Sequence, residues 1–239
     1  MTVLFQIENG VATAILDRPE SRNALNLAMC DGLIEAAGAA CSDESVKIFF
    51  VKANGPVFCA GADLKERLGM SEAQVRERRM KGFAAYAALE ALPMPAIAVV
   101  QGPAIGSGCE IAGACDFIVA TPEASFRTPE AVRGTVGATQ RLPRILGKRL
   151  AKDMMFTGRI LSAEEAREAG LVSRLISASD LESTLEEIKK TIVNAPQQSL
   201  RLAKRCIDRG VELDPRGALD TEIAAIEEQL ANGNWMGKK

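Results

Sequence analysis

The chain has 239 residues, 47% hydrophobic and 25% charged, with a formal net charge of −2. That length can bury a substantial core, and a sequence pI near 5.5 argues against nucleic acid as a main partner, since such domains are basic. There is no histidine, which removes the Ser-His-Asp triad, the HExxH zinc site and any imidazole acid-base group.

Proton transfer near neutral pH therefore falls to a carboxyl, thiol, lysine or tyrosine with a displaced pKa. No run approaches the roughly 20 apolar residues that span a bilayer, and MTVLFQIENG lacks the regions of a signal peptide. The expected address is cytoplasmic, with no membrane partner. The six cysteines, Cys30, Cys41, Cys59, Cys109, Cys115 and Cys206, form no CxxC pair and sit mostly among apolar neighbours. That usage suits reduced, buried thiols rather than disulfides or a metal site.

In chain order, Val11 to Asp17 and Val46 to Ala53 read as strands, the second bounded by Asn54-Gly55-Pro56. A helix is expected over Ser71 to Ala91, opened by a Ser71/Gln74 capping box, with Met80, Phe83, Ala84, Ala87, Ala88 and Ala91 recurring at helical spacing. Ala96 to Val100 is wholly apolar, as in a sheet buried on both faces, and Phe117 to Ala120 is similar. Ser162-x-x-Glu165 opens a further helix that closes around Gly170. From about residue 180 the pattern becomes helix on helix: DLESTLEEIKKTIVNA, QQSLRLAKRCIDRG and ALDTEIAAIEEQL. Strands alternating with helices, then a helical tail, predict an α/β protein.

Two glycine bends stand out. GPAIGSGCE (102 to 110) follows the Ala96 strand, but GxGxxG needs a glycine at 111 and Ile111 is there, and no GxxxxGK[ST] exists, which removes the nucleotide fingerprints. Phe58-Cys59-Ala60-Gly61-Ala62-Asp63-Leu64 follows the Val46 strand and is expected to lead into a helix. Two such bends could each offer one N–H to a single oxygen, the construction of an oxyanion hole; they could equally be tight turns that serve only the fold.

FCAGADLKE (58 to 66), QGPAIGSGCEIAGACDF (101 to 117), ASFRTPE (124 to 130), TQRLPRILG (139 to 147) and TGRILSAEEAREAGLVSRLI (157 to 176), with the early SRNALN (21 to 26), together resemble the enoyl-CoA hydratase/isomerase family, or crotonase superfamily. The resemblance implies a spiral of repeated β-β-α units over 1–184 and a helical trimerisation region over 185–239, giving a homotrimer or homohexamer. It implies stabilisation of a thioester enolate by two backbone N–H groups, those of Ala60 and Ser107, with serine where the family usually has glycine. Hydratases of the family carry two glutamates at the positions of Glu110 and Glu130. The resemblance makes Glu110 the main water-activating group and Glu130 the proton donor to C2, in the hydration of a 2-enoyl-CoA. Coenzyme A arrives as part of the substrate, with no separate cofactor or metal; its path would be lined by the backbone of Asn23, Ala24 and Leu25 and by Ala60, Gly61, Ala62, Asp63, Leu64 and Gly106, with Arg22 a candidate for its phosphates.

The match departs in two places. AVRGTVGA between Glu130 and Thr139 is shorter than the family's usual loop, and the C-terminus stops at NWMGKK, where Trp235 could cover CoA or pack an interface. Other readings are a Δ3-Δ2 enoyl-CoA isomerase or another enolate-forming relative, and a non-catalytic CoA- or RNA-binding paralogue. For RNA, the relevant cations are Arg76, Arg78, Arg79 and Lys81, yet Glu72 and Glu77 stand four residues before Arg76 and Lys81, a spacing that makes helix ion pairs.

Overall fold

The computed structural model describes residues 1–231, so Trp235 and the other terminal residues lie outside the described residues. The chain starts with an antiparallel hairpin, β1 (Val3–Glu8) and β2 (Val11–Leu16), turned by Asn9 and Gly10, both at positive φ. α1 (Leu27–Ser42) follows, with Asn26 accepting from the Met29 N–H as its cap. Next come β3 (Ile48–Ala53), α2 (Glu72–Glu90), β4 (Ala96–Val100), β5 (Pro103–Ile105) and α3 (Ser107–Gly113). β6 (Phe117–Ala120), β7 (Ser125–Arg127), α4 (Arg141–Thr157), β8 (Ile160–Ser162), α5 (Ala163–Glu168) and β9 (Arg174–Leu175) complete the strands. The tail is α6 (Leu181–Asn194), α7 (Gln197–Gly210) and α8 (Pro215–Ala231).

The large sheet has the order β1-β2-β3-β4-β6-β9 and is parallel from β2 onward. The small sheet has the order β5-β7-β8, with a bridge from Cys59 to Ala104 at its β5 side. Successive turns of chain thus give one strand to each sheet: β3 then the Cys59 bridge, β4 then β5, β6 then β7. The β-β-α spiral expected from the sequence is this alternation.

β4 is apolar throughout because it is buried on both faces. One face holds the main core, with Phe49, Ala96 and Val100; the other packs Ile48, Phe50, Ile97 and Val99 against Leu181, Leu185 and Ile188 of α6. The boundary expected at 184/185 therefore falls inside a helix that packs on the sheet.

Three expectations change. α2 has its capping box, but it turns the other way: Met80 is 51% and Phe83 44% exposed, while Arg78, Gly82, Ala85, Tyr86 and Leu89 form the buried stripe. Hydropathy spacing misses this face because an arginine lies in it. The predicted helix ion pair from Glu77 to Lys81 is replaced by Lys81 to Asp31 of α1 at 2.5 Å. Finally, Cys30, Cys59, Cys109 and Cys115 are buried, as expected, but Cys41 is exposed and Cys206 half-buried.

Candidate active site

The two glycine bends meet. A bond from Ile105 N–H to the Cys59 carbonyl, 2.9 Å, joins them, and a Cβ on Gly108 would stand 2.5 Å from that same carbonyl oxygen. Only glycine lets α3 sit this close. Between the bends opens a cavity of about 900 Å³.

The first bend does not run straight into a helix, as expected, but into turns that end at Gly69 (φ 80). The Asp63 side chain sets them, accepting from the N–H groups of Lys65 and Glu66 at 3.0 and 3.3 Å, and Arg18 holds its other oxygen at 3.1 Å. Those bonds hold the Asp63 carboxyl below the usual carboxylate range against the opposing effect of burial. Behind it, buried Arg78 donates to the Leu25 carbonyl and pairs with Glu66 at 2.7 Å, while Glu66 accepts from the Leu27 N–H at 2.9 Å.

These clamps decide which N–H groups are free. Leu25 donates to the Gly61 carbonyl and accepts from the Asp63 N–H, each at 2.8 Å. Ala62 lies between, so the alternation of an extended chain points its N–H the opposite way, and it has no partner among the described residues. The Ala60 N–H, expected from the resemblance to be the donor, instead gives its hydrogen to the Arg22 carbonyl at 3.0 Å. The free donor of the first bend is therefore Ala62.

In the second bend Gly106 takes φ 52, ψ −106 and donates to the Arg127 carbonyl at 2.8 Å. Ser107 opens α3, has no carbonyl one turn back within the helix, and its N–H has no partner among the described residues. Ala62 and Ser107 both line the cavity, as do Glu110 and Glu130.

Glu110 is buried on α3, with Oε2 bonded to Arg141 Nη1 at 2.8 Å. Glu130 caps a short turn at the start of the 131–140 loop, packed beneath Gly137 and against Gly106, where any side chain would collide with it. Its Oε2 is buried without a hydrogen-bond partner among the described residues. Burial, with the Glu110 charge adding to it, pushes the Glu130 carboxyl above its ordinary 4.5, against the pull of Arg133 and Arg79. The shortened loop is tied across the opening by Arg79, which donates to Thr135 Oγ1 and to the Val136 carbonyl.

Of the other expected residues, Arg22, Ala24, Leu25, Ala60, Gly61, Asp63, Leu64 and Gly106 line the cavity. Asn23 does not; it is fully buried, donating to the Asn54 and Val57 carbonyls at 2.8 Å and accepting from the Arg18 N–H at 2.7 Å. Its side chain fastens the SRNALN turn. Sequence reasoning assigned no role to Tyr86 or Arg141, and named Arg78 and Arg79 only as cations of the RNA-binding alternative. Arg141 stood inside the quoted TQRLPRILG, and Tyr86 is the only tyrosine; those were the available signals. Among the described residues no cluster of three or more His, Cys, Asp or Glu could hold a metal, and no helix is long and apolar enough to cross a membrane.

The cavity gathers two N–H groups without partners among the described residues and two carboxyls, an arrangement able to combine proton transfer with polarisation of an oxygen. The family model for enoyl-CoA hydratase/isomerase matches residues 6–233. A short-chain-enoyl-CoA hydratase of Clostridium acetobutylicum is 35% identical over 95% of this chain and 88% of its own. An enoyl-CoA isomerase/hydratase of Mycosarcoma maydis is 36% identical over 92% and 85%. The crystal structure of an enoyl-CoA hydratase from Bacillus anthracis superposes with a TM-score of 0.91 at 34% identity, covering 95% of this chain and 90% of that one. The chain belongs to the enoyl-CoA hydratase/isomerase family and has its crotonase fold.

Proposed function

We propose that the protein is an enoyl-CoA hydratase, adding water across C2=C3 of a 2-enoyl-CoA to give the 3-hydroxyacyl-CoA. The observation that carries the reading is the convergence of Glu110 and Glu130 with the unpartnered N–H groups of Ala62 and Ser107 in one cavity. The thioester oxygen accepts from Ala62 and Ser107, which stabilise the enolate as negative charge develops there. Glu110 takes a proton from water as the water oxygen bonds to C3. Glu130, whose raised pKa favours the protonated form, delivers a proton to C2.

The cavity opening carries Arg22, Lys65, Arg67, Arg79 and Arg133, cations suited to the phosphates of CoA. Burial, then the neighbouring Arg78 and Arg79, lower the Arg67 pKa. CoA is part of the substrate, and the chemistry calls for no further cofactor. Homo-oligomer formation is supported by the apolar side chains that α7, α8 and the turn between them leave in solvent, among them Ile207 at 65% and Val211 at 76% exposure. A trimer or hexamer is the expected mass in light scattering.

The second reading is a Δ3-Δ2 enoyl-CoA isomerase. One observation favours it: Arg141 occupies an oxygen of Glu110, so Glu130 is the carboxyl with an oxygen buried and unpartnered, and isomerisation needs one proton carrier. A panel of 2-enoyl- and 3-enoyl-CoA substrates followed by mass spectrometry separates the two. Gain of one water from the 2-enoyl thioester is expected; conversion of 3-enoyl-CoA without mass change, and none of the 2-enoyl thioester, overturns hydration.

A further inference from the structure

Glu110 stands on a short helix whose own contacts do not fix its carboxylate, and what fixes it comes from α4. Arg141, the first residue of α4, gives Nη1 to Glu110 Oε2 at 2.8 Å and Nη2 to Glu90 Oε2 at 2.6 Å, at the end of α2. Its guanidinium also lies 5.8 Å from the centre of the Tyr86 ring, within cation–π range. The arginine is thus held on three sides, by α2 twice and by α3 once.

The pair is not a surface ornament. The side chains of Arg141 and Glu110 are 17% and 7% exposed, and an ion pair that far from water is weak evidence for stabilisation, because desolvation offsets its attraction. Arg141 Nε is moreover buried with no partner among the described residues, a further cost. Its geometric effect is specific: with Oε2 taken by Nη1, the carboxylate cannot swing, and Oε1, which makes no hydrogen bond among the described residues, is left for the cavity. The other titratable groups facing Glu110 are Tyr86 from α2, Glu130 from the loop and Cys109 beside it on α3; none is a cation.

We propose that Arg141 is a positioning residue for Glu110, holding its carboxylate with one oxygen aimed at the reacting water, while Glu90 and the Tyr86 ring hold Arg141. The inference rests on the role given to Glu110 above. It also ties the two carboxyls to opposite ends of one segment: Glu130 precedes the 131–140 loop, and Arg141, which holds Glu110, follows it, so the loop's length bears on their relative placement.

The test is steady-state kinetics on the substrate that wild type converts, for Arg141→Met, Arg141→Lys, Glu90→Gln, Glu110→Gln and the double variant Arg141→Met/Glu110→Gln. Loss of positioning at this distance from the chemistry is worth about 100-fold, so Arg141→Met lowers kcat by about that factor with KM changed less than about threefold. Arg141→Lys regains about a tenth of the wild-type rate, and Glu90→Gln loses a few-fold. In the Glu110→Gln background Arg141→Met costs less than about threefold more, the coupling expected of two residues acting as one unit. Equal losses in both backgrounds, or a rise in KM with kcat kept, overturn the proposal. So does a wild-type rate in Arg141→Met, or, should that variant not fold, in Arg141→Lys and Glu90→Gln together. A wild-type rate in Glu110→Gln instead removes the two-carboxyl reading itself, which distinguishes that failure from this one.

Discussion

The two bends do the same thing, presenting one free N–H to the cavity, by opposite means. The first, around Ala62, has no regular secondary structure and is held by polar side chains, Asp63 and Glu66 of its own turns with Arg18, Asn23 and Arg78 reaching in from elsewhere. The second, around Ser107, uses few such clamps. It is shaped by missing side chains, with Gly102 against Pro56, Gly108 against Cys59 and Gly106 against Glu130. A strand-to-helix turn can be compact because nothing fills it, whereas an irregular segment needs partners for its backbone groups. Both routes end in a donor that has no other partner.

On the proposed mechanism the proton chemistry sits at the second bend, which carries Glu110 and packs its Gly106 against Glu130, and the sharpest attack on it is to neutralise both carboxyls. Glu110→Gln and Glu130→Gln should each lower kcat by about 10² to 10⁴, measured by loss of enoyl absorbance with crotonyl-CoA; a preserved rate in both ends the two-carboxylate mechanism. The polar clamps come next. Arg78→Met leaves Glu66 and the Leu25 carbonyl without their partner, and breaking such a buried pair costs about 3 to 5 kcal/mol, read by urea unfolding. An unchanged midpoint would mean that the first bend is held by packing after all.

The steric bend is tested by Gly108→Ala, whose Cβ would press on the Cys59 carbonyl. Overpacking of this kind costs about 1 to 3 kcal/mol, and because the contact joins the bends, kcat should fall with it. A subtler effect concerns Glu130. Its folded pKa lies above its ordinary value, so the folded chain holds its proton more tightly and the burial cost is absent below about pH 4, growing as pH rises through the folded value. Glu130→Gln should therefore raise Tm at pH 7 and leave it nearly unchanged at pH 4. A calorimetric scan showing equal shifts at both pH values contradicts that assignment. The smallest effect is expected from Ser107→Gly, which keeps the backbone donor; kcat should change by less than about threefold. A large loss would place function in the hydroxyl.

Much of the architecture was legible because its signals are local. Capping boxes at Ser71 and Ser162 involve residues three apart, and the runs Ala96–Val100 and Phe117–Ala120 became strands with those bounds. Glu110 and Glu130 were legible through their motifs, and the structure puts both on one cavity. What local pattern misjudged was orientation. α2 was read by its apolar spacing, yet the buried face carries Arg78 and the solvent face carries Met80 and Phe83, since bonds to Glu66 and Leu25 outweigh hydropathy there. Ala60 was read as a donor from its motif, and its hydrogen turned out to belong to Arg22, a residue far earlier in the chain. The Asn23 side chain is a buried fastener that the sequence did not reveal for the same reason, that its partners lie about thirty residues on.

By itself, then, the amino-acid order determined the element types, the absence of imidazole chemistry, and the two carboxyls with their glycine bends, because helix caps, strand periodicity and glycine freedom act within a few residues. Only the tertiary structure decided which N–H of each bend is free, which face of α2 meets the core, and that Glu110 is shared with Arg141, thirty-one residues away. Those outcomes depend on which group wins a hydrogen-bond partner when distant segments come together, and that competition exists only once the chain is folded.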